Sequence, residues 1–326
     1  MNASPAQLDL DRLLDDPEVR IVVCCGSGGV GKTTTAAALG VRAAERGRRV
    51  VVLTIDPARR LAQSLGIATL DNTPRPVLGL AATPSGEPAQ MYAAMLDMKS
   101  TFDEVVLSQA SPQLAEQILS NPFYLALSTS FAGTQEYMAM ERLGQLYREG
   151  QLSGEYDLIV VDTPPSRSAL DFLDAPERLA NFLDGRFIRM LLAPARGPLR
   201  LMSAGLALVT GALTKVLGAQ LLRDLQTFIA AFDTLFGGFR QRAEQTFALL
   251  QGAHTAFLVV AAPEPDPLRE ASYFVDRLTA DRMPLVGLVL NRASSVAAGE
   301  LSEVAARAAA ERLDGGRAAG LLRLYA

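Results

Sequence analysis

Hydrophobic residues along the chain gather into short unbroken runs separated by longer stretches of helical periodicity. Val19–Cys25, Val50–Ile55, Leu158–Val161, Phe257–Ala261 and Leu285–Leu290 are apolar at successive positions and rich in β-branched side chains. Runs of that kind predict parallel strands covered on both faces, because a half-exposed strand would alternate. Helix-like stretches lie between them, among them Thr33–Arg46, Pro267–Asp281 and Ala297–Leu313. The alternation predicts an α/β fold, a doubly wound and mainly parallel sheet with its ligand at the carboxyl ends of the strands. A weaker run, Val77–Ala82, reads as a further strand. Residues 89–150 and 176–252 break the alternation and read as helical throughout, the second with an interruption at Pro194–Pro198. They are expected to form a helical insertion subdomain on a single domain spanning 1–326.

The first apolar run passes directly into Gly26-Ser27-Gly28-Gly29-Val30-Gly31-Lys32-Thr33-Thr34, and an Ala-rich helical pattern follows. A strand, a G-x-x-x-x-G-K-[ST] loop and a helix in that order form a phosphate-binding loop, so the sheet is expected to be of the P-loop NTPase type. Glycines let successive backbone N–H groups curl around a phosphate without interference from Cβ atoms. The helix N-terminus adds unpaired donors and the positive end of a dipole. Lys32 would place a charge on the β- and γ-phosphates, and the Thr33 hydroxyl would ligate Mg²⁺. Gly28, Gly29, Val30, Gly31, Lys32, Thr33 and Thr34 are therefore the candidate binding residues for a nucleoside triphosphate.

Composition narrows the rest. A formal net charge of −4 gives no electrostatic case for nucleic acid, and none is expected as a partner. Cys24 and Cys25 are adjacent in the first predicted strand and face opposite ways, so they read as small core residues. The single histidine, His254, leaves little material for a histidine-based metal or acid–base site. Residues 1–20 lack a basic stretch followed by an apolar one, which argues for a cytoplasmic protein. Leu201–Leu222 is long enough to span a bilayer but is rich in small residues and carries Lys215 well inside. It reads as a buried or interface-forming helix, with an apolar surface for a hydrophobic partner as the alternative.

Two carboxylates extend the reading toward hydrolysis. The second strand runs into Asp56-Pro57-Ala58-Arg59-Arg60, where Asp56 could orient or deprotonate an attacking water. Asp-Pro also starts turns, so capping is an equal alternative for Asp56. A later strand ends in Asp162-Thr163-Pro164-Pro165, and an apolar strand ending in Asp beside a P-loop is the arrangement that holds magnesium.

Taken together, Val30–Thr34, Asp56-Pro57-Ala58 and Asp162-Thr163-Pro164-Pro165 resemble the deviant-Walker-A ATPases related to MinD and ParA. Within that group the chain is most similar to the arsenite-pump ATPase and to the ATPase that delivers tail-anchored membrane proteins. Leu96-Asp97, Gly133-Thr134-Gln135-Glu136, Val260–Glu264 and Leu288-Val289-Leu290-Asn291-Arg292 carry the same resemblance. It implies an Mg²⁺-dependent ATPase with ATP as substrate, working as a dimer with two facing nucleotide sites. By position, Asp56 matches the water-activating residue, Asp162 the magnesium residue and Asn291 the adenine-contacting residue. For Asn291, a capping role at a strand end is the alternative.

The departures bear equally on function. The family carries a signature Lys five residues before the P-loop Lys, and here that position is Ser27. A cation acting in trans on transition-state charge is worth about three powers of ten in rate, so fast hydrolysis by a self-dimer is in doubt. Slow hydrolysis, a mixed dimer with a paralogous ATPase that supplies the Lys, or a substitute arginine (Arg59, Arg60 or Arg167) are the open routes. The pump's thiolate site and the targeting dimer's Cys-x-x-Cys staple are both missing, which argues against arsenite transport. The expected function is an ATPase, homodimeric or heterodimeric, whose nucleotide state gates a surface for a hydrophobic client or membrane-protein partner. The alternative is a weakly catalytic regulatory subunit. A MinD-like membrane switch is disfavoured because Leu313–Ala326 is short and glycine-rich.

Overall fold

The computed structural model describes residues 8–56, 60–122, 124, 125, 128, 134–164, 238, 241–293 and 303–312. The backbone divides into two compact units, residues 1–291 and 292–326. In the first, β1 (Ile21–Cys25), β2 (Arg49–Thr54), β3 (Arg75–Pro76), β4 (Gln90–Met95), β5 (Leu158–Asp162), β6 (Thr255–Ala261) and β7 (Leu285–Leu290) form one sheet. The strand order is β3-β4-β2-β5-β1-β6-β7, parallel except for the short β3. The expected doubly wound α/β architecture is what forms. In the second unit, α8 (Glu303–Arg312) is described.

Continuous apolar strands need cover on both faces, and β1, β2, β5 and β6 have it. The edge strand β7, expected to be covered likewise, instead leaves Leu288 and Leu290 exposed, as a strand paired on one side only can. Ile21, Val23 and Cys25 face one layer, built from α4 (Met98–Gln109), α5 (Pro112–Leu119), α6 (Thr134–Ser153), the helical stretch at 241–251 and α7 (Pro265–Ala280). Val22 and Cys24 face the other layer, built from α1 (Leu10–Asp15), α2 (Lys32–Glu45) and α3 (Arg60–Leu65). Both cysteines are fully buried, and burial pushes the Cys25 thiol up to about 12, so they serve as core residues.

Three local expectations change. Gln90–Met95, expected among the helices of residues 89–150, is strand β4. All six residues pair in register with Arg49–Thr54, and that ladder overrides an intrinsic helical preference. Val77–Ala82 is not a strand. Leu78 is exposed, Gly79 turns the chain at φ 80°, and only Ala82 forms an isolated bridge, to Pro88. Asp97 lies before a helix rather than within one, as the N-cap of α4, its carboxylate accepting from the Ser100 N–H at 2.6 Å. Leu201–Leu222, Arg59 and Arg167 lie outside the described residues. Among the described residues no helix is long and apolar enough to cross a membrane.

Candidate active site

The site is built where β1 ends. Gly26 leaves the strand so close to β6 that a Cβ there would sit 2.1 Å from the Val260 carbonyl oxygen, which only glycine avoids. Gly28 and Gly29 form the exposed tip of the loop, while Val30 is 1% exposed and anchors its far side in the core. Gly31 is the N-cap of α2 at φ 96°, and no side chain caps the helix. Its first amides are therefore left for an external acceptor, the condition for anion binding at a helix N-terminus. Lys32 is buried and its ammonium donates to the Ser27 carbonyl at 2.7 Å. Burial pulls its pKa below the ordinary value, opposed first by the charge of Asp162. Thr33 is partly buried; Thr34 is exposed on the first turn.

Asp162 ends β5, with Cys24 of β1 and Thr54 of β2 as its register partners on either side. The carboxylate is fully buried. Its Oδ2 accepts from the Thr54 hydroxyl at 2.9 Å, and its Oδ1 has no partner. Burial raises its pKa, opposed by the nearby Thr33 and Thr54 hydroxyls and by the charge of Lys32. An orphan buried carboxylate oxygen beside a threonine hydroxyl and an ammonium fits a hard, oxygen-seeking cation that keeps water and phosphate in its shell. Among the described residues no cluster of three or more His, Cys, Asp or Glu exists.

Asp56 is 8% exposed, just beyond β2, with Arg60 Nη1 at 3.9 Å from its Oδ2. Its backbone is held from two directions. The Asp56 N–H donates to Thr54 Oγ1 at 3.2 Å, and the preceding Ile55 carbonyl accepts from Gln135 Nε2 at 3.0 Å. Thr54 thus joins the Asp162 carboxylate to the backbone of Asp56 through one hydroxyl, donating to Asp162 Oδ2 and accepting from the Asp56 N–H. Sequence reasoning named both carboxylates and missed Thr54. The available signal was strand alternation, which puts residues 54 and 56 on the same side. Ser27, at the signature-Lys position, is 5% exposed, and its Oγ has no partner.

Asn291 comes into the site from the far end of the chain. It follows β7, its N–H extends the ladder to the Ala261 carbonyl at 2.8 Å, and its side-chain Nδ2 donates to the Val30 carbonyl at 2.8 Å. The structure thus brings the loop, Asp162, Asp56 and Asn291 around one end of the sheet.

A family model for anion-transporting ATPases matches residues 19–309. The chain belongs to the anion-transporting ATPase family. Among curated relatives, the ATPase GET3 of Malassezia globosa is 28% identical over 53% of this chain and 47% of its own length. An arsenical pump-driving ATPase of Acidiphilium multivorum is 30% identical over 49% of this chain and 26% of its own. The ATPase ASNA1 homolog 2 of Paramecium tetraurelia is 23% identical over 87% and 78%. The alignments with the first two span about half and about a quarter of those relatives' lengths. In this member of the anion-transporting ATPase family the glycine-rich loop, Asp56 and Asp162 stand at the carboxyl ends of β1, β2 and β5.

Proposed function

We propose that the chain binds ATP with Mg²⁺ and hydrolyses it, and that nucleotide state switches a dimer acting on a hydrophobic client or a membrane-protein partner. The observation that carries the catalytic part is Asp162, buried at the strand end beside the loop with one oxygen unpartnered. Lys32 and the loop amides would bind the phosphates, and Thr33 and Asp162 would hold Mg²⁺, which neutralises phosphate charge when bound. Asp56 stands ready to take a proton from water, its backbone fixed by Thr54 and Gln135. The names of the relatives, one a GET3 and another a pump-driving ATPase, support the energy-coupling role, and the missing thiolate site disfavours an arsenite cargo. A cytoplasmic location, peripheral at the membrane during client transfer, fits this reading.

A second reading rests on Ser27, which is buried and uncharged where the resemblance places a trans-acting Lys. In it the chain is a weakly catalytic subunit paired with a Lys-bearing paralogue. Steady-state phosphate release separates the two. Asp56→Asn is expected to lower turnover by about 10² or more while ATP still binds, as loss of a general base does. A clear gain from Ser27→Lys would show that the missing cation limits a self-dimer. Wild-type turnover no higher than that of Asp56→Asn would leave only the subunit reading.

A further inference from the structure

We propose that Asn291 is a positioning residue for the phosphate loop, fixing the Val30–Gly31 peptide so that the Gly31 N–H faces the bound triphosphate. The proposal rests on reading the loop as a triphosphate site and goes beyond a base contact. The described backbone has no cis peptide bonds, and in a trans peptide the C=O and the following N–H point in opposite directions. Holding the Val30 carbonyl through Asn291 Nδ2 at 2.8 Å therefore aims the Gly31 N–H the other way.

The loop needs such a brace. Gly28 and Gly29 are exposed, Gly29 and Gly31 sit at φ 74° and 96°, and no side chain caps α2, so the glycine dihedrals alone do not fix the orientation of this peptide. Asn291 is itself well placed to act, because its N–H is bonded to the Ala261 carbonyl at the end of the β6–β7 ladder. The fit is tight: a Cβ on Gly31 would lie 2.1 Å from Asn291 Nδ2, so residue 31 must lack one for the amide to reach the carbonyl. The second hydrogen on Nδ2 and the Oδ1 acceptor leave the same amide capacity for a base. One side chain would then join the base end of the site to its phosphate end.

Calorimetric titration of the full chain with Mg·ATP and with Mg·tripolyphosphate, which has no base, tests this on Asn291→Ala and on the near-isosteric Asn291→Leu. The expected result is a loss of about fivefold in affinity for both ligands in both variants, the worth of one hydrogen bond, at unchanged stoichiometry. A structural role alone would lower the binding-competent fraction and leave the dissociation constants where they are. Unchanged affinity for both ligands, or weakened ATP with unchanged tripolyphosphate, would overturn the proposal. If wild-type chain bound neither ligand, the reading of the loop itself would fail before any variant was compared, and the proposal with it.

Discussion

At the amino ends of the central strands, Arg48 donates to the carbonyls of Leu14, Asp16 and Val19 and to both the side chain and the backbone of Asp157. At the carboxyl ends of the same strands, Ser27 Oγ and Asp162 Oδ1 are buried with no partner at all. Both ends bury polar groups, yet only one satisfies them. A saturated network holds the first turn of the chain and the β5 entry together. An unsatisfied one costs stability and persists where a ligand supplies the missing bonds. Under the proposed function, stability belongs to the amino ends of these strands and chemistry to their carboxyl ends.

The largest effect is expected at Asp162. Asp162→Asn should cut turnover by about 10³, on the scale of losing a key charge-stabilising group, without unfolding the chain. Stability carries the sign of the argument. Burial raises the folded pKa above the ordinary carboxylate value of 3.8, so the folded state binds more protons than the unfolded one across that window. Wild-type stability should therefore fall as pH rises through it, and in the Asn variant that fall should be absent from denaturant midpoints measured across the same pH range. A destabilised Asp162→Asn at neutral pH would mean that the carboxylate is structural and would erase the distinction between the two ends.

The opposite outcome is expected at the amino end. Arg48→Ala takes the 2.6 Å partner from the partly exposed Asp157 carboxylate, which keeps Arg49 Nε at 3.5 Å. It also removes a donor from the carbonyls of Leu14, Asp16 and Val19, of which Asp16 still accepts from the Val19 N–H. Breaking a largely buried pair costs about 3 kcal/mol, readable in urea unfolding, while the ATP affinity of the folded fraction should stay at its wild-type value. A nucleotide-affinity loss in Arg48→Ala would show that the two ends are coupled.

How much of this could be read from sequence follows the same division. The loop, Asp56 and Asp162 could be named as candidates because each follows an apolar strand at a spacing that phosphate and magnesium chemistry would use, and the structure brings them to one end of the sheet. The pairing strands were visible because β1, β2, β5 and β6 are buried almost throughout. Strand β4 was not, since Gln90-Met91-Tyr92-Ala93-Ala94-Met95 has no local reason to be extended and takes its conformation from Arg49–Thr54. The Arg48 network and the Asn291–Val30 contact join residues distant in sequence, and nothing in either segment alone announces the other.

The smallest expected effect tests the carboxyl end most finely, at a residue with no role in binding ligand directly. Thr54 donates to Asp162 Oδ2 and accepts from the Asp56 N–H, and Thr54→Val removes both bonds while keeping volume and β-branching. Asp162 would then lose its side-chain donor in β2, and the segment carrying Asp56 would lose one tether while keeping the Gln135 bond to the Ile55 carbonyl and the Ile55 N–H bond to the Asp162 carbonyl. Turnover per folded molecule should drop about tenfold, the scale of one or two hydrogen bonds, with ATP affinity little changed. Thr54→Ser keeps the hydroxyl and should recover most of the rate. If the valine variant loses stability but turns over normally once folded, Thr54 belongs with Arg48 among the groups that merely hold the sheet together. The line between chemistry and stability would then run between Asp162 and its nearest neighbour in β2.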